Sequence, residues 1–148
     1  MTRDRIYKFL GVVLVVSFAI GCNPAQVVSA PSPTVLTKND DVLRNAFNQR
    51  QSDLQVQGQG TVIRILSDDL DGSRHQRFIL QLSSGQTLLI AHNIDLAPRI
   101  SGLQTGDVVR FYGEYEWNAE GGVIHWTHHD PNGYHVDGWL EHGGQRYQ

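Results

Sequence analysis

Val108-Val109-Arg110-Phe111-Tyr112-Gly113-Glu114-Tyr115-Glu116-Trp117, with Asn118-Ala119-Glu120-Gly121-Gly122 and Val123-Ile124-His125-Trp126-Thr127 behind it, decides the fold. Val109, Phe111 and Tyr115 alternate with Arg110, Glu114 and Glu116, and successive strand side chains point to opposite faces, so one face is buried and the other wet. The glycine-ended pentapeptide then turns the chain back into a second strand, giving a hairpin.

The same β pattern extends upstream. Val56 to Leu66 is rich in branched residues, Ser67-Asp68-Asp69-Leu70-Asp71-Gly72-Ser73 breaks it, and Arg77 to Leu82 resumes it. Ser84-Gly85 turns into Thr87 to Ile94, while Asp95 to Thr105, with Pro98 and Gly102, reads as a loop or one short helical turn before Gly106-Asp107 opens the next strand. The chain is therefore mainly β, and a five-stranded OB-like barrel is the most economical arrangement because closure removes exposed edges. A sandwich fragment or an SH3-like barrel shares this strand count and spacing. Ahead of the strands, Asp40 and Asp41 precede Val42, Leu43, Ala46 and Phe47, a short amphipathic helix ending near Arg50 and suited to cover one end of the barrel. Beyond Thr127 the expectation is an irregular C-terminal tail.

At the N-terminus Arg3, Arg5 and Lys8 precede an apolar run from Phe9 to Ile20, the pattern of a signal peptide over residues 1–21. About 12 residues at ~1.5 Å each reach only ~18 Å, too short to span a bilayer. Ala19-Ile20-Gly21-Cys22 resembles the bacterial lipobox, with Ala19 in place of the usual Leu, and Cys22 is the only cysteine. Lipidation of Cys22 as the first mature residue accounts for a thiol that has no partner for a disulfide. Val28-Ser29-Ala30 offers a competing cleavage site for plain secretion. Residues 22–38, poor in amphipathic period, read as a linker, and 39–148 as the OB-like domain. The expected location is the cell envelope on the periplasmic side, lipid-anchored or secreted, with the anchor as the sole membrane contact.

The whole chain has 12 Lys+Arg against 15 Asp+Glu, and loss of residues 1–21 leaves 9 against 14. An acidic domain without a basic run is a poor unspecific nucleic-acid binder, since that binding rests on Lys/Arg contacts to phosphates.

Gly72-Ser73-Arg74-His75-Gln76-Arg77-Phe78, Gly85 to Arg99, Gly113-Glu114-Tyr115-Glu116-Trp117-Asn118 and His125-Trp126-Thr127-His128-His129-Asp130-Pro131 together resemble the bacterial domain-of-unknown-function family 3465 over about Gln55 to Tyr147. The resemblance implies an exported protein with an OB-like domain and brings no activity. A looser similarity is to staphylococcal-type nucleases, whose barrels open with a Gly-x-Val-x-Arg strand ahead of acidic residues, here Gly60-Thr61-Val62-Ile63-Arg64 before Asp68, Asp69 and Asp71. Arg99 stands where those enzymes place a catalytic Glu, so the similarity bears on fold more than on activity.

Four of seven histidines fall between His125 and His135. In an extended strand His125, Thr127 and His129 share one face and Trp126 and His128 the other, while Pro131 and Asn132-Gly133 fold the chain back and bring His135 towards them. His125, His129 and His135 could thus hold a divalent metal, zinc or another, with Asp130 as fourth ligand or orienting group and His128 as a substitute. The same residues equally suit a hydrogen-bonded cluster that pins the tail. Arg74, His75, Arg77, His92, Asp95 and Arg99 lie at strand ends, where arginines grip anions bidentately, unless each pairs with a neighbouring Asp. Trp126 is a candidate stacking surface, alongside Trp117, Trp139 and Tyr134. The resulting expectation is a module that binds an anionic small or oligomeric ligand in a His/Arg/Asp-lined pocket. The alternatives are a metal-assisted phosphodiester hydrolase, and an envelope protein-interaction module marked by an exposed apolar patch.

Overall fold

The computed structural model describes residues 33–148, with side chains from Asn39 onward. The expected signal peptide, the expected lipidation at Cys22 and the first part of the expected linker lie outside the described residues. One helix, α1 (Pro33–Gln49), precedes seven strands: β1 (Leu54–Ile65), β2 (His75–Gln81), β3 (Thr87–Asn93), β4 (Val108–Glu116), β5 (Val123–His125), β6 (Trp139–His142) and β7 (Gln145–Tyr147). α1 begins inside the stretch read as linker, and a proline fits that first position, where no N–H is needed.

β1 pairs antiparallel with both β2 and β4, β2 with β3 and β4 with β5, and β3 runs parallel to β5. Those pairings form a closed five-stranded barrel. β1 serves two neighbours because Leu54–Thr61 faces β4 and Thr61–Ile65 faces β2, with a register shift between Val62 and Arg64. A bulge there bends the strand between its partners. Gly58 permits the curvature, since a Cβ built on it would lie 2.5 Å from the Phe111 ring.

The expected alternation holds. Val109, Phe111 and Tyr115 are fully buried with Phe78, Leu80, Leu88, Ile90 and Ile124. Leu43 and Ala46 of α1 enter the same core. The helix is fixed over one end of the barrel by Asp40, whose carboxylate accepts from Ser83 Oγ at 2.5 Å and from the Ser84 N–H at 3.0 Å in the β2–β3 turn. Beyond β5 the tail is irregular through residue 138, then adds the β6–β7 hairpin to β4. Its two-residue turn, Gly143-Gly144, has φ of 58° and 80°, the left-handed conformation that tight hairpins demand.

The β3–β4 connection is held by a buried side chain rather than a helix. Gln76 donates to the Ile100 carbonyl at 3.0 Å and accepts from the Ile100 N–H at 2.9 Å, so its amide replaces a strand neighbour. Gln76→Leu should cost about 2 kcal/mol, because both Ile100 backbone groups lose their partners in the interior. Urea denaturation reads the loss, and an unchanged midpoint would refute the anchoring role.

Candidate functional site

Outward-facing residues of β2, β3 and β5 line a groove on the barrel wall. One depression of about 370 Å³ is bounded by Asp69, His75, Arg77, Ala91, Glu116 and His125. A second, of about 450 Å³, shares His75, Ala91 and His125 and continues past Leu96 to Trp126 and His128. A third reaches from Leu89 and Ile79 to Ile63 and Arg64. The floor is aliphatic, with ionisable groups along the walls. This is the face on which OB barrels take extended ligands.

Three of the residues expected to bind ligand line this groove: His75, Arg77 and Trp126. Arg77 donates Nε–H to the Ser67 carbonyl at 3.1 Å and lies 3.6 Å from Asp69, a loose pairing. Arg74 and Asp95 are instead locked together. The Asp95 carboxylate accepts from Arg74 Nε at 2.6 Å and from the Arg74 N–H at 2.7 Å, contacts that hold its pKa below the usual carboxylate range. Arg99 is tied to Asp68. His92 faces the interior with no exposed surface, since it continues the inward series Leu88, Ile90 of β3. It does not reach the groove.

The expected metal set divides. β5 ends at His125, and Trp126 adopts a left-handed φ of 50°, which breaks the alternation assumed for residues 125–129. His129 donates to Asp137 at 2.8 Å on the surface. Asp130 accepts the N–H groups of Asn132, Tyr134 and His135 at 2.9, 2.6 and 2.8 Å, which closes the 130–135 turn and lowers its pKa. His128 is buried, with Nδ1–H on the His129 carbonyl. Only His125 and His135 come together, and they meet at Glu114.

The register of β4 and β5 places Glu114 opposite His125 and Glu116 opposite Val123, so both carboxylates share an outer face with His125. His135 Nε2 lies 2.7 Å from one Glu114 oxygen, and its Nδ1 lies 2.8 Å from the Val136 carbonyl. Both ring nitrogens face acceptors, an arrangement that favours the protonated ring. Burial opposes that charge, but the Glu114 and Val136 bonds outweigh it and raise the pKa above its ordinary value. The ring also stacks on Trp126 at 4.2 Å, 5° from parallel. Glu114 and Glu116 are not among the site residues expected from sequence: counting outward from an Asn118–Gly122 turn pairs Glu114 with Trp126, whereas the strands pair Glu116 with Val123 and so bring Glu114 opposite His125.

The sequence profile of a family described as protein of unknown function (DUF3465) matches residues 26–148. This chain belongs to the DUF3465 family. No curated protein matches it. In this DUF3465 domain, then, it is the groove itself that has to indicate a function.

Proposed function

We propose that this domain is an exported, lipid-anchored envelope module that binds an oligomeric ligand carrying anionic groups along the outer face of β2, β3 and β5. One observation carries the reading: adjoining depressions share His75, Ala91 and His125 and form one extended groove. Arg77 is its cationic contact. Its loose hold on Asp69 leaves the guanidinium able to turn to a carboxylate or phosphate, whereas Arg74 and Arg99 are neutralised by their partners. The aliphatic floor suits the non-polar faces of a chain of repeating units better than a compact ion.

The test is NMR titration with an oligogalacturonate and, as the neutral counterpart, an oligoglucan. Amide shifts at His75–Arg77, Leu89–Ala91 and Val123–His125 with the acidic probe alone are expected. Arg77→Ala should weaken that binding about ten-fold or more, as loss of a charge-assisted hydrogen bond does. Equal response to the neutral probe, or shifts confined to another face, would refute the reading.

A second reading, metal-assisted phosphodiester hydrolysis, draws on the Glu114–Glu116–His125 group. It is weakened by the acidic turn between β1 and β2, where Asp68 is committed to Arg99, and Asp69 holds the Asp71 N–H at 3.1 Å while facing Arg77.

A further inference from the structure

We infer that Glu114, Glu116 and His125 form a binding site for a divalent first-row transition ion, of which zinc is the probe, in the wall of the groove. The site differs from the histidine set expected from sequence, and it does not depend on whether the groove takes an anionic ligand.

Its geometry follows from the hairpin. Residues directly opposite on antiparallel strands, and residues two apart on one strand, project from the same face, so Glu114, Glu116 and His125 make a triangle on a rigid ladder. One ligand atom from each lies within 4.8 Å of the others. His125 Nε2 is 3.2 Å from Glu114 Oε1 and 3.9 Å from Glu116 Oε1. Bonds of about 2.0–2.2 Å to one ion hold neighbouring ligand atoms about 3–3.5 Å apart, so small side-chain rotations would complete the set.

A second observation points to a ligand rather than to an ion pair. His125 Nε2 is covered from solvent, although the side chain as a whole is 34% exposed, and it makes no hydrogen bond among the described residues despite the 3.2 Å approach of Glu114. A covered imidazole nitrogen without a partner is costly, and a metal bond through its lone pair removes the deficit. Glu114 is already oriented for this. His135 holds its other oxygen at 2.7 Å, as an outer partner of a metal-bound carboxylate does, and Trp126 holds His135 by stacking. The mixed nitrogen and carboxylate donors favour zinc or manganese over calcium or magnesium, which take oxygen donors alone. Two carboxylates balance the ion's charge. With three protein ligands the remaining positions would open on the depression that Glu116 and His125 share with His75 and Arg77.

Isothermal titration of the untagged full chain with zinc chloride should show one ion per chain with a dissociation constant of about 10 µM or tighter. His125→Ala and Glu116→Gln should each weaken it at least ten-fold, while His129→Ala, whose ring is engaged by Asp137, should leave it unchanged. In the unaltered protein, zinc should shift the His125 Nε2 resonance in nitrogen-15 spectra, a readout that survives if a variant misfolds. Absence of stoichiometric zinc, an unmoved His125 Nε2, or affinity lost with His129 and kept without His125 would each overturn the site. Arg77→Ala separates the two proposals: it should weaken oligogalacturonate binding about ten-fold or more and leave the zinc titration intact.

Discussion

Gly138→Val should destabilise the domain by about 3 kcal/mol or more and lower its Tm by about 10 °C. Gly138 is buried where the 126–138 segment rejoins the sheet, and its N–H donates to the His128 carbonyl at 2.9 Å. A Cβ built on it would overlap the carbonyl oxygens of Trp126 and Tyr112. Neither obstacle is a side chain that can swing away. Tyr112 lies in β4 opposite Trp139, so relieving the overlap means parting β4 from β6 or lifting the Trp126 turn. Lifting that turn unstacks Trp126 from His135 and releases Glu114, so the substitution should also erase the ring-current shifts of His135 in proton NMR. Gly133→Ala is the control. It has φ of 69° but open space around its Cβ, so it should cost only about 1 kcal/mol, for the left-handed backbone alone. Equal losses for the two variants in urea denaturation would show that close approach at Gly138 does not hold the segment.

Particular residues show how far the sequence could be read. The β4 alternation predicts buried Val109, Phe111 and Tyr115 because a half-buried strand writes its two faces into every second residue, and the barrel follows from five strands joined by turns with no long helix between them to cover an open sheet. The same rule places His92 inside with Leu88 and Ile90, so its position at a strand end does not by itself put it on the ligand face. The β6–β7 hairpin was legible in Gly143-Gly144 and was missed because its strands have only four and three residues. Trp126 is different in kind. A bulky residue at φ 50° is locally unfavourable, and nothing near it in sequence asks for that conformation. Contacts distant in sequence impose it: the His135 ring on its face and Gly138 against its carbonyl. Since Trp126 decides which histidines converge, the candidate site was less legible than the fold. His129 shares a face with His125 only by a strand periodicity that stops at His125.

Acid should unfold this domain earlier than its carboxylates alone would, and His92 is the reason. Its pKa is lowered from 6.5 to about 4, first by burial, and further by the nearby His128 and His75, against the raising effect of the Pro98 carbonyl. The contacts fix one neutral form: Nε2–H donates to the Pro98 carbonyl at 3.2 Å, and Nδ1 accepts from the Thr127 hydroxyl at 2.8 Å. A second proton would place a charge inside the core and require the Thr127 hydroxyl to turn from donor to acceptor. Above pH 6.5 the ring is neutral in both folded and unfolded chains, and stability does not depend on it. As pH falls below 6.5 the unfolded chain takes up a proton that the folded one refuses, so stability drops until the folded ring also titrates near pH 4. At about 1.4 kcal/mol for each pH unit between the two values, the total is about 3 kcal/mol. Other groups fall outside this window. Asp95, Asp107, Asp130 and Asp137 have pKa values lowered from 3.8, so their contribution is lost mainly below it, and the raised pKa of His135 gives a contribution that is constant below 6.5 and fades at higher pH. His92→Gln, which keeps a polar side chain without the titration, should be less stable than the parent at pH 7 and lose far less between pH 6.5 and 4. Parallel pH profiles of unfolding free energy for the two proteins would rule His92 out as the acid-sensitive group.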